Sequence, residues 1–152
     1  MATLESLATY YPPVSFHFLV EFNGIQPSLI DTQFQAVSGL SVDIETEEFA
    51  EGGENRFKHK FPVRTKFPHL VLKRGMVTDS KLINWCKDAV ESFKFSPIDL
   101  TVKLLNDKHL PLVTWNVVNA YPVKWNVDEL NAEENKIAIE TIELAYNYFT
   151  LV

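Results

Sequence analysis

The chain has 152 residues, the length of one ordinary domain, since single cores of roughly 100 to 200 residues are the common size. Hydrophobic residues make up 46% and charged residues 22%, which excludes the low-hydrophobicity, high-charge corner where chains stay disordered. A net charge of −6 argues against a nucleic-acid-binding surface, though it leaves room for a local basic face; no run approaches the ~18 apolar residues of a membrane span, and the lone Cys86 has no internal disulfide partner.

In chain order, Ser15 to Phe22 alternates, with Phe16, Phe18, Val20 and Phe22 on one side and Ser15, His17, Leu19 and Glu21 on the other. That period of two predicts a strand. Asn23-Gly24 and Pro27 end it, Gly39 marks a bend, and Leu40, Val42 and Ile44 then alternate with polar residues as a second strand. From Thr46 to Asn55 the alternation is expected to stop, with Gly52-Gly53 permitting a positive-φ turn at the tip of a long hairpin or excursion. The returning arm places Phe57, His59, Phe61 and Val63 opposite Lys58 and Lys60, and Pro62 keeps it off a central position in a sheet. Leu70 to Leu72 form a short apolar strand ending at Lys73-Arg74-Gly75.

The spacing of Leu82, Trp85, Cys86, Ala89 and Phe93 predicts one amphipathic helix over about residues 79–93, capped by Thr78 or Asp79 and stopped before Pro97. Ile98, Leu100, Val102 and Leu104 then alternate toward an Asn106-Asp107 turn, and Leu112 to Ala120 return to make a hairpin. A connection containing Pro122 leads to a last, long strand with Ala138, Ile142, Leu144, Tyr146 and Tyr148 at even positions. The pattern is mainly β: about seven strands in a small β-sandwich or barrel with one packed helix, in a single domain over residues 1–152.

Catalytic chemistry is not indicated. His17, His59, His69 and His109 lie on four separate segments without metal-ligand spacing, and no phosphate loop, dinucleotide fingerprint or nucleophile elbow is present. Cys86, on the apolar helix face beside Trp85, reads as a small buried hydrophobe. Neither a catalytic residue, a metal nor a cofactor is expected. Trp85 and Trp115 read as packing. Trp125 is the one tryptophan expected at the surface, where a monomeric β-sandwich module could stack a glycan or peptide on it.

Charge is segregated between residues 45 and 66. The outgoing arm carries Glu45, Glu47, Glu48, Glu51 and Glu54, and the returning arm Arg56, Lys58, Lys60, Arg64 and Lys66. The arms can pair with each other, each cross-strand pair contributing about 0.2–1 kcal/mol. They can equally present an acidic and a basic edge to different neighbours, as a head-to-tail contact requires. Glu47, Glu48, Phe49, Glu51, Glu54, Arg56, Lys58, Lys60 and Arg64 are therefore the candidate subunit or ring interface.

Six segments in order carry a family resemblance: YPPVSFHFLVEF at 11–22, VSGLSVDIE at 37–45, LVLKRG at 70–75, the helix with Leu82 and Trp85, WNVVNAYPVKW at 115–125, and LNAEENKIAIETIELAYNYF at 130–149. Over about Tyr11 to Phe149 the chain resembles the tube proteins of contractile phage tails and of related extracellular contractile injection systems. The resemblance implies a structural subunit whose strands join those of its neighbours in a hexameric β-barrel ring around a wide lumen. The implied partners are further copies of itself, adjacent tube rings, hub, spike and baseplate proteins, the sheath, and cargo passing through the lumen, with no membrane insertion by this chain. Synthesis in a bacterial cytoplasm without a signal peptide, then assembly into the particle, is the corresponding expectation. The stretch EGGENRFKHKFPVRTKFPHLVLKRG and the ending AYNYF resemble the tube-initiator layer more than the main repeating subunit.

Overall fold

The fold is that of a computed structural model, which describes residues 17–25, 33–50, 52–53, 56–76, 80–133 and 137–152. Ser15, Phe16, Pro27, Thr78 and Asp79 lie outside the described residues. In chain order come β1 (His17–Phe22), β2 (Gln33–Phe34), β3 (Ala36–Ser38), β4 (Asp43–Phe49), β5 (His59–Lys66), β6 (Leu70–Gly75), α1 (Lys81–Ser92), β7 (Ile98–Leu105), β8 (Pro111–Val127), β9 (Ile139–Ala145) and β10 (Tyr148–Leu151).

The main sheet runs β2-β1-β7-β8-β9-β6-β3, with β10 also paired to β8 and every pairing antiparallel. Its two end strands, β2 and β3, are separated in the chain by Gln35 alone. The Gln35 N–H donates to the Lys73 carbonyl at 2.9 Å and so extends the β3–β6 ladder toward β2. The sheet therefore closes on itself as a small barrel, which removes most free edges.

Alternation along the strands fills the interior. Val20, Phe22, Leu70, Leu72, Leu100, Val102, Val117, Ile142 and Leu144 are buried in one cluster, joined by Leu82, Trp85 and Cys86 from the helix. Phe22 and Trp85 meet at 6.2 Å between ring centroids, inside the range of a favourable tilted pair. Burying each large aliphatic side chain contributes about 1.5–3 kcal/mol, so this cluster dominates the stabilisation of the barrel.

Helix α1 begins later than expected. Ser80, in extended conformation, is the N-cap, and its Oγ accepts from the Ile83 N–H at 3.3 Å. Serine satisfies an otherwise orphaned first-turn amide as well as the two residues before it could. At the other end Phe93 is the C-cap in the left-handed region (φ 52°), so it leaves the helical face and is 82% exposed. The apolar spacing assigned it to the core. A position that is one residue past the last helical turn no longer follows the helical period.

Three strand assignments change as well. Leu40, Val42 and Ile44 do not make an inward-facing barrel strand: β3 ends at Ser38, and β4 starts at Asp43 and continues to Phe49 through the stretch expected to lack alternation. Pro122 does not interrupt β8, which runs 17 residues; a register shift between Pro122 and Lys124 absorbs the missing N–H where β8 passes from β7 to β9. Asn119, with φ 54°, lies at a separate register shift in the β7–β8 ladder, and its N–H is held by Asp99 Oδ1 at 3.0 Å. The final segment is two strands, β9 and β10, broken around Asn147, and both pair with β8.

A projecting two-stranded ribbon as the candidate functional site

Strands β4 and β5 pair only with each other, outside the barrel. The register aligns Asp43 with Lys66, Glu45 with Arg64, Thr46 with Pro62, Glu47 with Phe61, Glu48 with Lys60 and Phe49 with His59. One register shift, between Glu45 and Thr46, accommodates the odd residue at Val63, next to Pro62. Proline is tolerated here because a two-stranded ribbon has only edges. No residue of either strand is buried; Glu45 and His59 are partly exposed and the others exposed.

The charged residues pair across the ribbon. Arg64 Nε donates to Glu45 Oε2, and Lys58 Nζ lies 3.8 Å from Glu48 Oε2. The hydrogen bond from Arg64, with its charge and that of Lys66, holds the Glu45 carboxyl below its ordinary pKa, and Glu45 correspondingly raises that of Arg64. Of the other residues expected at an interface, Glu47 and Phe49 lie on β4, Lys60 on β5, and Arg56 just before β5. Glu51 and Glu54 lie outside the described residues. Segregation of charge along the sequence has thus become opposite charges facing each other across one ladder.

Alternation gives the ribbon two unlike faces. Phe49, His59 and Phe61 share one of them: Phe49 and Phe61 approach to 6.4 Å between centroids, His59 stacks on Phe61 at 6.2 Å, and Phe57 meets His59 edge-on at 5.0 Å. Glu48 and Lys60, one residue out of step, point to the other face. Phe49, Phe57 and Phe61 are 55%, 55% and 52% exposed, and Ile44 and Val63 are also exposed. Covering the open half of each phenylalanine contributes on the order of 1 kcal/mol apiece. An exposed ion pair such as Lys58–Glu48 contributes between about 0 and 1 kcal/mol. The aromatic face therefore outweighs the charges as a source of contact energy. Its signal in the sequence was the apolar alternation of the arm RFKHKFPVR, which the charge pattern overshadowed.

Elsewhere the described residues offer little reactive chemistry. Cys86 is 1% exposed, and burial, reinforced by the nearby Glu140 charge and opposed by Arg74, pushes its thiol pKa up to about 12. Trp125 is 38% exposed, but its indole N–H donates to Glu140 Oε1 at 2.7 Å and so belongs to an internal network. In that network Arg74, 2% exposed, donates from Nε to Glu140 Oε2 at 2.9 Å and from Nη2 to Ser80 Oγ at 3.1 Å, with its guanidinium 5.2 Å from the Phe34 ring. The arrangement ties β6, β9, β8 and the helix N-terminus together, and leaves Trp125 poorly placed as a free stacking platform. A small, mostly apolar cleft of about 160 Å³ between α1 and β8 is lined by Ile83, Cys86, Val90 and Trp125.

Comparison with known proteins places this architecture. No curated protein matches the chain. Among solved structures, it is similar to a chain in the baseplate of the anti-feeding prophage, determined with six-fold symmetrisation, at 30% identity over 93% of this chain and 96% of that one (TM-score 0.78). It is similar to a chain in the sheath–tube complex of the extracellular contractile injection system PVC at 26% identity over 100% and 99% (TM-score 0.80), and to one in the sheath/tube terminator of that system at 27% over 93% and 97% (TM-score 0.76). The model of the T4-like virus tail tube protein gp19 family matches residues 14–150. With that match spanning nearly the whole barrel and ribbon, the chain belongs to the T4-like virus tail tube protein gp19 family, a family of structural tube proteins.

Proposed function

We propose that this protein is an inner-tube subunit of a contractile injection system, that six copies close into a ring, and that the ring is the tube-initiator layer between hub or spike and the main tube. The observation that carries the assembly reading is the ribbon: two strands held off the barrel with three half-exposed phenylalanines on one face. A monomer gains nothing from that face, whereas a second copy laid against it recovers its apolar area and leaves the Glu48–Lys58 contact, on the opposite face, paired. The initiator assignment draws its support from the resemblance of residues 51–75 and 145–149 and from the likeness to a baseplate chain. The likeness to a sheath–tube chain along the full length favours the second reading, a main repeating tube subunit.

Two measurements test this. Phe49→Ser with Phe61→Ser should abolish tubes seen by electron microscopy, whereas Arg56→Glu with Lys60→Glu should weaken them less; normal tubes from the phenylalanine variant would sink the ribbon contact. Quantitative mass spectrometry of purified particles separates the layers: one ring per particle means far fewer copies than sheath subunits, and parity with the sheath would make this the repeating subunit.

A further inference from the structure

The four histidines are dispersed in sequence, but the fold brings two of them together. His17, at the start of β1, and His109, in the β7–β8 turn, stand 92 residues apart, yet His17 Nε2 lies 2.9 Å from His109 Nδ1, with ring centroids 4.7 Å apart. We propose that these two nitrogens form a chelating site for a divalent transition metal of the zinc, nickel or copper type, for which neutral imidazole is a fitting ligand.

Both ligands are carried on fixed backbone. β1 is paired to β7 from His17↔Leu105 to Phe22↔Leu100. The turn is closed by Asn106, whose side-chain oxygen accepts from the Lys108 and Leu110 N–H groups, both at 2.9 Å, while the His109 N–H donates to the Asn106 carbonyl at 3.0 Å. His109 itself has φ 63°, the left-handed position that such a turn ordinarily gives to glycine or asparagine. A larger ring at that position adds no packing of its own, since His109 is exposed, and what its side chain reaches is His17.

The geometry is close to that of a bound ion. Two imidazole nitrogens at 2.0–2.1 Å from a tetrahedral metal stand about 3.3 Å apart, so the rings need to separate by about 0.4 Å. The ion then replaces the hydrogen now shared between the nitrogens. The ring that supplied that hydrogen shifts its proton through solvent to its other nitrogen, so that Nδ1 of His17 and Nε2 of His109 carry the two protons and none is lost overall. Two nearby cations are compensated: Lys103 Nζ lies 3.0 Å from Glu21, and Arg74 is bonded to Glu140. The pair borders a cleft of about 640 Å³ that Gln33 and Gln35 also line, which leaves room for waters or amide oxygens to complete the coordination.

The test uses the full chain without an affinity tag. Titration calorimetry with Zn²⁺ and Ni²⁺, and the visible absorption of added Co²⁺, should show one saturable site per chain. His17→Ala and His109→Gly should each weaken it about tenfold or more, the loss caused even by removing outer partners of metal ligands. His109→Gly relaxes a left-handed backbone and keeps the fold intact, so its loss of binding cannot be blamed on unfolding. His59→Asn with His69→Asn should bind as the parent does. Absence of saturable binding at millimolar metal, or equal affinity in His109→Gly, overturns the proposal.

Discussion

Removing Glu140 should damage this protein about as much as truncating a buried leucine, and removing Arg74 along with it should restore much of the loss. Both groups are buried, at 0% and 2% exposure, and joined at 2.9 Å. Glu140→Leu leaves a guanidinium in the interior without its carboxylate and takes the acceptor from the Trp125 indole. Breaking a buried pair on one side costs about 3–5 kcal/mol, because the remaining charge has lost both water and partner. At about 2–4 °C per kcal/mol for a chain of this size, that is a fall in Tm of roughly 6–20 °C. Arg74→Leu should act similarly. In the double variant no charge is stranded; the losses include the hydrogen bonds of Ser80 and Trp125, about 0.5–1.5 kcal/mol each, and the contact of Arg74 with the Phe34 ring. Urea unfolding of the four proteins gives the coupling directly. Additive losses, with the double variant the sum of the singles, would refute the claim that these groups stabilise one another as a desolvated pair.

Gly39→Ala should be severely destabilising, by more than the roughly 1 kcal/mol of a left-handed non-glycine residue. Gly39 has φ 91°, and a Cβ there would lie 2.0 Å from the His69 carbonyl oxygen, so backbone must move; a thermal melt within a degree or two of the parent contradicts this. Ser80→Ala removes the N-cap of α1 and a partner of Arg74, and a loss of about 1–2 kcal/mol in denaturant unfolding is expected. Cys86 should resist thiol reagents at pH 9 until the chain unfolds, which a colorimetric thiol assay with and without denaturant reads directly. Because the folded-state pKa is raised from 9.0 to about 12, the unfolded chain releases this proton first. The stability contributed is fully present below pH 9 and is lost as pH rises toward 12, so the decline should be shallower in Cys86→Ala.

The main elements were legible because their physics is local. Alternation of Phe18, Val20 and Phe22, or of Leu100 and Val102, fixes which side of a strand faces the core whatever it pairs with. Likewise the helical spacing of Leu82, Trp85, Cys86 and Ala89 selects the buried stripe of α1. The charged arms of residues 45–66 were located as the candidate interface, and their mutual pairing was one of two open outcomes. Where reading by period failed, a non-local contact had intervened. Ile44 alternates like a core residue, yet its strand pairs with β5 alone and has no barrel to face. Phe93 has the spacing of the helix stripe but lies beyond its end.

Burial of ionisable groups is the other thing composition conceals. Arg74 and Glu140 look in sequence like any strand-end cation and any surface acid. They become interior only because β6 and β9 align residue 74 with residue 140, with Ser80 and Trp125 close enough to complete their hydrogen bonds. His17 and His109 are adjacent for a similar reason, since β1 and β7 run antiparallel and the turn after β7 folds back over the start of β1. Hydrophobic period and turn chemistry are properties of neighbouring residues, so the sequence by itself determined a mainly β chain with one helix, its core-facing positions and its charged ribbon. Closure of the barrel and the meeting of distant polar groups depend on the register between strands far apart in the chain, and that was decided only in three dimensions.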